Sequence, residues 1–287
     1  MTFSKKSRRR GVMDLKSKIG LKEILAMAGF LICSAIFLIV LYSSGLSVGS
    51  LVNMQNYFLS GMIIQTAGMT TSDAMISLLA PFISALLAFV FLAAGFAFLS
   101  SYGFIKSYSR LGLTSIVIAV LILILFSFSL LSIFLSAAII ITSIYIIPLS
   151  NTYGKELKRW IFFRTGSHSI SKALLITNIL ITVAVFSTIS MSLDYYQQSF
   201  KEDLSNTMIS MLASSFSEEI PSALSEEVNQ TIAPLFESPM IGAYMRWLPV
   251  LTALIVFFML EFSRSLIFSN IGGFFTDILI RINRRIK

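Results

Sequence analysis

Apolar residues gather along this chain in runs too long for an ordinary soluble core and without the strict alternation of a half-buried strand. Five runs stand out: Ile24–Leu41, Met75–Leu99, Leu111–Leu149, Ala173–Leu193 and Leu248–Phe268. Backbone groups in a bilayer must be satisfied within their own segment, so runs of this length read as membrane-spanning helices. The third run has 39 residues. As one helix it would measure roughly 58 Å, against a hydrocarbon core of about 30 Å. It divides better into two spans, 111–130 and 133–149, with a turn near Ser127–Ser132 that no glycine or proline marks. The expected fold is all-α: six transmembrane helices at about 24–41, 75–99, 111–130, 133–149, 173–193 and 248–268.

Charge orients those spans. Basic residues near span ends stay on the cytoplasmic side. The tail 1–23 carries Lys5, Lys6, Arg8, Arg9, Arg10, Lys16, Lys18 and Lys22. Six spans put that tail, Lys106, Arg110, the Lys155–Lys172 connection and Arg281, Arg284, Arg285 and Lys287 inside. Five spans would send the last two groups outside. The outer segments then collect Asp73, Asp194, Glu202, Asp203, Glu218, Glu219, Glu226, Glu227 and Glu237. Both termini are expected in the cytoplasm of a cell-membrane protein. The first run could instead be a cleaved signal peptide. Its 18 apolar residues exceed the usual core of such signals, which favours a retained anchor.

Composition agrees with lipid as the solvent. Of 287 residues, 56% are hydrophobic and 13% charged, with a mean hydropathy of +0.84; soluble domains average about 25% charged. The one cysteine, Cys33, lies inside an apolar run, where it packs as a small hydrophobe. The net charge of +8 points to anionic lipid on the inner leaflet. Nucleic acid is not expected, because no reading motif or stacking platform accompanies the cations.

Outside, the chain invests length in 42–73, read as a loop, and in 194–247, read as a small acidic helical cap. Within the cap, Phe200, Leu204, Met208, Met211 and Phe216 keep helical spacing. Pro221–Ser222 restart the chain, and Leu224, Val228 and Ile232 continue to Pro234. Asn229 heads a glycosylation sequon on that side. Met208 and Met211 are too sparse a thioether pattern to call for copper, and methionine also serves as adaptable packing.

Small and hydroxylated stripes mark the faces that should meet inside the bundle. They are Ser77, Pro81, Ser84, Ala88 and Gly95; Ser132, Ser136 and Ser143; and Ser171, Asn178 and Thr182. Asn178 and Thr182 are candidate intramembrane polar residues, read as a helix bridge rather than a pathway lining. The last span carries Glu261 and Arg264. At i, i+3 they meet on one face and can neutralise each other, and the arginine can snorkel inward. That makes them an anchor; the contrasting reading gives Glu261 a proton or cation to carry.

The inner surface supplies candidate headgroup contacts. In 269–287, Ile271, Phe275, Ile278, Leu279, Ile282 and Ile286 share one helical side and Asp277, Arg281 and Arg284 the other, after a Gly272-Gly273 hinge. This reads as a basic amphipathic helix on the inner leaflet, joined by Arg285. Arg164 and the only histidine, His168, would add to it from an inner loop. No P-loop, metalloprotease, nucleophile-elbow or dinucleotide motif is present, so no cofactor, metal or catalytic residue is expected. The expected function is a non-catalytic membrane subunit that binds or assembles a protein partner, or a homo-oligomer. A permease or channel is the alternative, and an intramembrane lipid-modifying enzyme the least favoured class. In a Cys33→Ala background, a cysteine placed at Ser225 is expected to react with an impermeant reagent on intact cells. Labelling only after lysis would invert the topology.

Overall fold

A computed structural model describes residues 4–65, 72–106, 110–202, 205 and 239–285. Among them the chain is all helix, without strands: α1 (Ser4–Ser43), α2 (Val48–Gln65), α3 (Ser72–Gly103), a 3-10 turn (Arg110–Thr114), α4 (Ser115–Leu125), α5 (Leu130–Glu156), α6 (Ile161–Met191) and α7 (Pro239–Ser263). A π-helical turn (Arg264–Phe268) then leads into α8 (Ser269–Arg285). Among the described residues, five helices are long and apolar enough to cross a membrane, and Leu111–Leu125 forms a shorter apolar one. The protein is a polytopic α-helical membrane bundle. Large apolar side chains such as Ile32, Ile124, Phe258 and Phe262 are exposed, an arrangement that water would penalise and lipid does not.

Packing divides the chain into two compact units. The first comprises Met1–Ser44, Ser84–Ile181 and Phe258–Lys287; the second comprises Gly45–Ile83 and Thr182–Phe257. In the first, α3 approaches α5 through Gly103. A Cβ there would lie 2.5 Å from the Ile147 carbonyl oxygen and 2.9 Å from its Cα. Gly112 meets Ile144 in the same way, its added Cβ falling 2.9 Å from that Cα. Hydroxyls finish the seam. Ser100 Oγ lies 3.1 Å from Ser150 Oγ and 2.9 Å from Ser169 Oγ, which joins α3, α5 and α6. Ser150 Oγ also donates to the Ser100 carbonyl at 2.6 Å. Ser132, Ser136 and Ser143 are all buried, and Ser136 donates across to the Ala119 carbonyl at 3.0 Å.

Several boundaries differ from the sequence expectation. The long third run breaks at 126–129, but its first half is an 11-residue helix behind a 3-10 turn, and its second half continues to Glu156. The break needs no glycine because Ser127 and Phe128 themselves take left-handed backbone, with φ of 52° and 53°. Ser129 then caps α5, its Oγ accepting from the Ser132 N–H at 3.2 Å. The expected loop 42–73 contains α2, an 18-residue helix. The expected inner loop around Arg164 and His168 is also helical, since α6 begins at Ile161.

The Gly272-Gly273 hinge is the clearest correction. Both glycines are helical and buried within one continuous helical stretch, Gly242–Arg285. Their missing side chains serve close approach instead of bending. A Cβ on Gly273 would lie 2.9 Å from the Phe163 carbonyl oxygen, and one on Gly272 2.5 Å from Ile170 Cδ1. The face α8 buries is therefore Ser269, Gly272, Gly273, Thr276, Ile280 and Asn283. Phe275, Ile278 and Ile282, on the side expected to meet the inner leaflet, are exposed and take no part in this seam.

In the second unit, α2 buries Val48, Val52 and Met54. Its Gln55 Oε1 accepts from Thr252 Oγ1 of α7 at 2.6 Å, and its Asn56 Oδ1 accepts from Tyr244 OH at 3.3 Å. Of the expected cap, residues 193–202 are helical and bury Tyr196 and Phe200, the latter ring 5.8 Å from Tyr244. Residues 206–238, with Met208, Met211 and Asn229, lie outside the described residues.

Gly103→Ala is expected to cost about 1–3 kcal/mol through overpacking against backbone, read as a lowered melting temperature in detergent. Gly242→Ala meets nothing within 4 Å and should be neutral or stabilising.

Candidate functional site: a closed polar cluster between α6 and the last helix

The middle of α6 carries Ser171 and Asn178 two helical turns apart, so both project to one side. Facing them, Glu261 ends α7 and Arg264 opens the π turn. The two charges make a fork. Arg264 Nε donates to Glu261 Oε2 at 2.8 Å, and Arg264 Nη2 donates to Glu261 Oε1. Arg264 Nη1 reaches α6, donating to the Ser171 carbonyl at 3.1 Å and to Ser171 Oγ. Asn178 Nδ2 approaches Glu261 Oε2 at 3.4 Å. Bidentate pairing of this kind fixes geometry as well as neutralising charge. The arginine side chain is 14% exposed and the glutamate 28%.

The π turn sets the register of this seam. Ser269 N–H donates to the Arg264 carbonyl, five residues back. Buried positions run Leu260, Ser263, then Phe268, a step of five, before Gly272, Thr276 and Ile280 resume steps of four. The wide turn absorbs one extra residue, so the small face of α8 stays against α6 instead of rotating by about 100°.

The expected site residues thus separate into groups. Asn178, Glu261 and Arg264 come together, with Ser171 as a fourth member. Ser171 was legible as part of one stripe with Asn178, but not as a partner for the arginine. Thr182 lies one turn beyond Asn178 on α6, past the edge of this unit. The headgroup candidates lie at the other end of α6 and α8. Arg164 and His168 are exposed on helix, the imidazole 5.6 Å from the Tyr153 ring. Arg281 Nε pairs with Asp277 at 2.9 Å, 66% exposed. Arg284 stacks over Phe162 at 4.4 Å and Phe104 at 5.9 Å, a cation–π contact, and Arg285 is exposed.

Sequence reading missed Trp160. It precedes α6 with φ of 52° and is 80% exposed. Left-handed backbone at a bulky residue costs on the order of 1–3 kcal/mol, and no glycine or asparagine announced it. Among the described residues, no three His, Cys, Asp or Glu side chains gather as a metal site. Comparison with family models, curated proteins and solved structures finds no match.

Removing Arg264 strands Glu261. Arg264→Met should lower stability by roughly 3 kcal/mol, at the lower end for a breached buried pair. The double variant Glu261→Gln/Arg264→Met should lose less than that single change. Unfolding in detergent, analysed as a double-mutant cycle, measures the coupling.

Proposed function

We propose that the protein is a non-catalytic subunit of a cell-membrane assembly, with six spans, both termini in the cytoplasm and an acidic helical cap outside. In this reading the partner is a protein, or a second copy of the chain. What supports it most is the closure of the polar cluster. Glu261 and Arg264 are engaged with each other, with Asn178 and with Ser171, as groups that hold helices together are. A transport site needs converging polar groups that a solute can reach. The hydroxyls of Ser100, Ser150 and Ser169 are likewise turned on one another.

A small-solute or ion permease is the second reading. The π turn beside Glu261 favours it, because such turns recur at functional sites. In both readings the basic inner ends of α6 and α8 lie at anionic headgroups, worth about 1 kcal/mol per cation near the surface.

Purification in gentle detergent is expected to retain a partner protein in fixed ratio, or a defined oligomer. The isolated chain in proteoliposomes should carry no proton-coupled or cation-coupled flux. A flux that a folded Glu261→Gln variant abolishes would favour the permease instead.

A further inference from the structure

Between the start of α6 and the middle of α8 the first unit opens a cleft of about 740 Å³. Its apolar lining is Ile161, Phe162 and Phe163 from one helix and Phe274 from the other. Lys158, Arg281 and Trp160 line it as well, all three exposed. Asp277 also lines it, but that carboxylate is engaged by Arg281 at 2.9 Å. Lys158 has no ion-pair partner among the described residues. Arg159, Arg164, Arg284 and Arg285 are exposed at the same end of α6 and α8, so the field around the cleft is positive.

We propose that this cleft binds a single anionic phospholipid, its headgroup phosphate against Lys158 and Arg281 and its acyl chain along the apolar lining. The volume lies within the range of small-molecule sites, which are apolar clefts with a few polar groups that fix orientation. Charge complementarity selects the occupant: an uncompensated cation beside an apolar lining in a membrane protein matches a molecule that is anionic at one end and hydrocarbon at the other. Trp160 is the residue type that sits at headgroup level, with its ring in the apolar layer and its N–H towards the polar one. The inference rests on the chain crossing a membrane and not on which side this end faces.

The chain has two tryptophans, so the full-length Trp247→Phe protein leaves Trp160 as the sole fluorophore. It is reconstituted in vesicles containing brominated phosphatidylglycerol or brominated phosphatidylcholine, with quenching as the readout. Phosphatidylglycerol is expected to quench at roughly fivefold lower mole fraction, as about 1 kcal/mol per cation implies. Lys158→Gln/Arg281→Gln should abolish that preference, and Lys106→Gln/Lys155→Gln, with the same charge loss at residues that do not line the cleft, should keep it. Equal quenching by the two lipids overturns the proposal. So does equal loss of preference in both double variants, which would mean diffuse surface attraction. Circular dichroism and gel filtration check folding. If the first double variant fails them, Lys158→Gln, which breaks no ion pair, carries the same test.

Discussion

In a bilayer, leucine gains nothing by turning away from lipid, so helices must be held by close backbone approach and a few polar contacts. The seam between α6 and the last helix shows both. At one end a bidentate Glu261–Arg264 pair closes on Ser171 and Asn178. At the other, Gly272 and Gly273 let α8 approach the Phe163 backbone and the Ile170 side chain. The polar end supplies specificity of register, because a forked contact tolerates little sliding. The glycine end supplies contact area. Neither would suffice alone, since glycine is a weak helix former and an unmet charge in lipid is costly.

The same logic runs between α3 and α5, where Gly103 and a set of serine hydroxyls replace the large residues that would hold a soluble core. Phenylalanine fills the remaining space: Phe30 with Phe96, Phe37 with Phe89 and Phe89 with Phe268 are ring neighbours. The first unit thus combines small contacts, where backbones meet, with stacked and edge-to-face rings.

Much of this was legible in the sequence because lipid imposes a simple rule. Long uncharged runs must be helices: those at 24–41 and 75–99 each fall within one, 173–193 overruns α6 by two residues, and 248–268 covers the end of α7 and the π turn. The serine stripe of α5 and the pairing of Ser171 with Asn178 followed from a 100° step alone. What failed to show were features that a constant step does not carry. A helical wheel through residues 269–287 lies beyond the π turn and groups the bulky apolar set of α8 on one side. It cannot tell which side meets protein, and the buried side is the small one, Gly272, Gly273 and Thr276. In the same way, Ser127, Phe128 and Trp160 adopt left-handed backbone without the residues that normally announce it. The helix in 48–65 was hidden because Asn53, Gln55 and Asn56 dilute its apolar signal.

The π turn also separates two properties that an ordinary helix ties together, its length and its facing. Elsewhere in a bundle, one added residue swings everything downstream to the wrong side, so helix interiors resist such changes. Here the surplus residue is stored as a local widening, and the far end of the rod keeps its aim. Residues 264–268 are therefore where this chain could lose a residue and remain one unbroken helix, with its basic tail still facing the same neighbour.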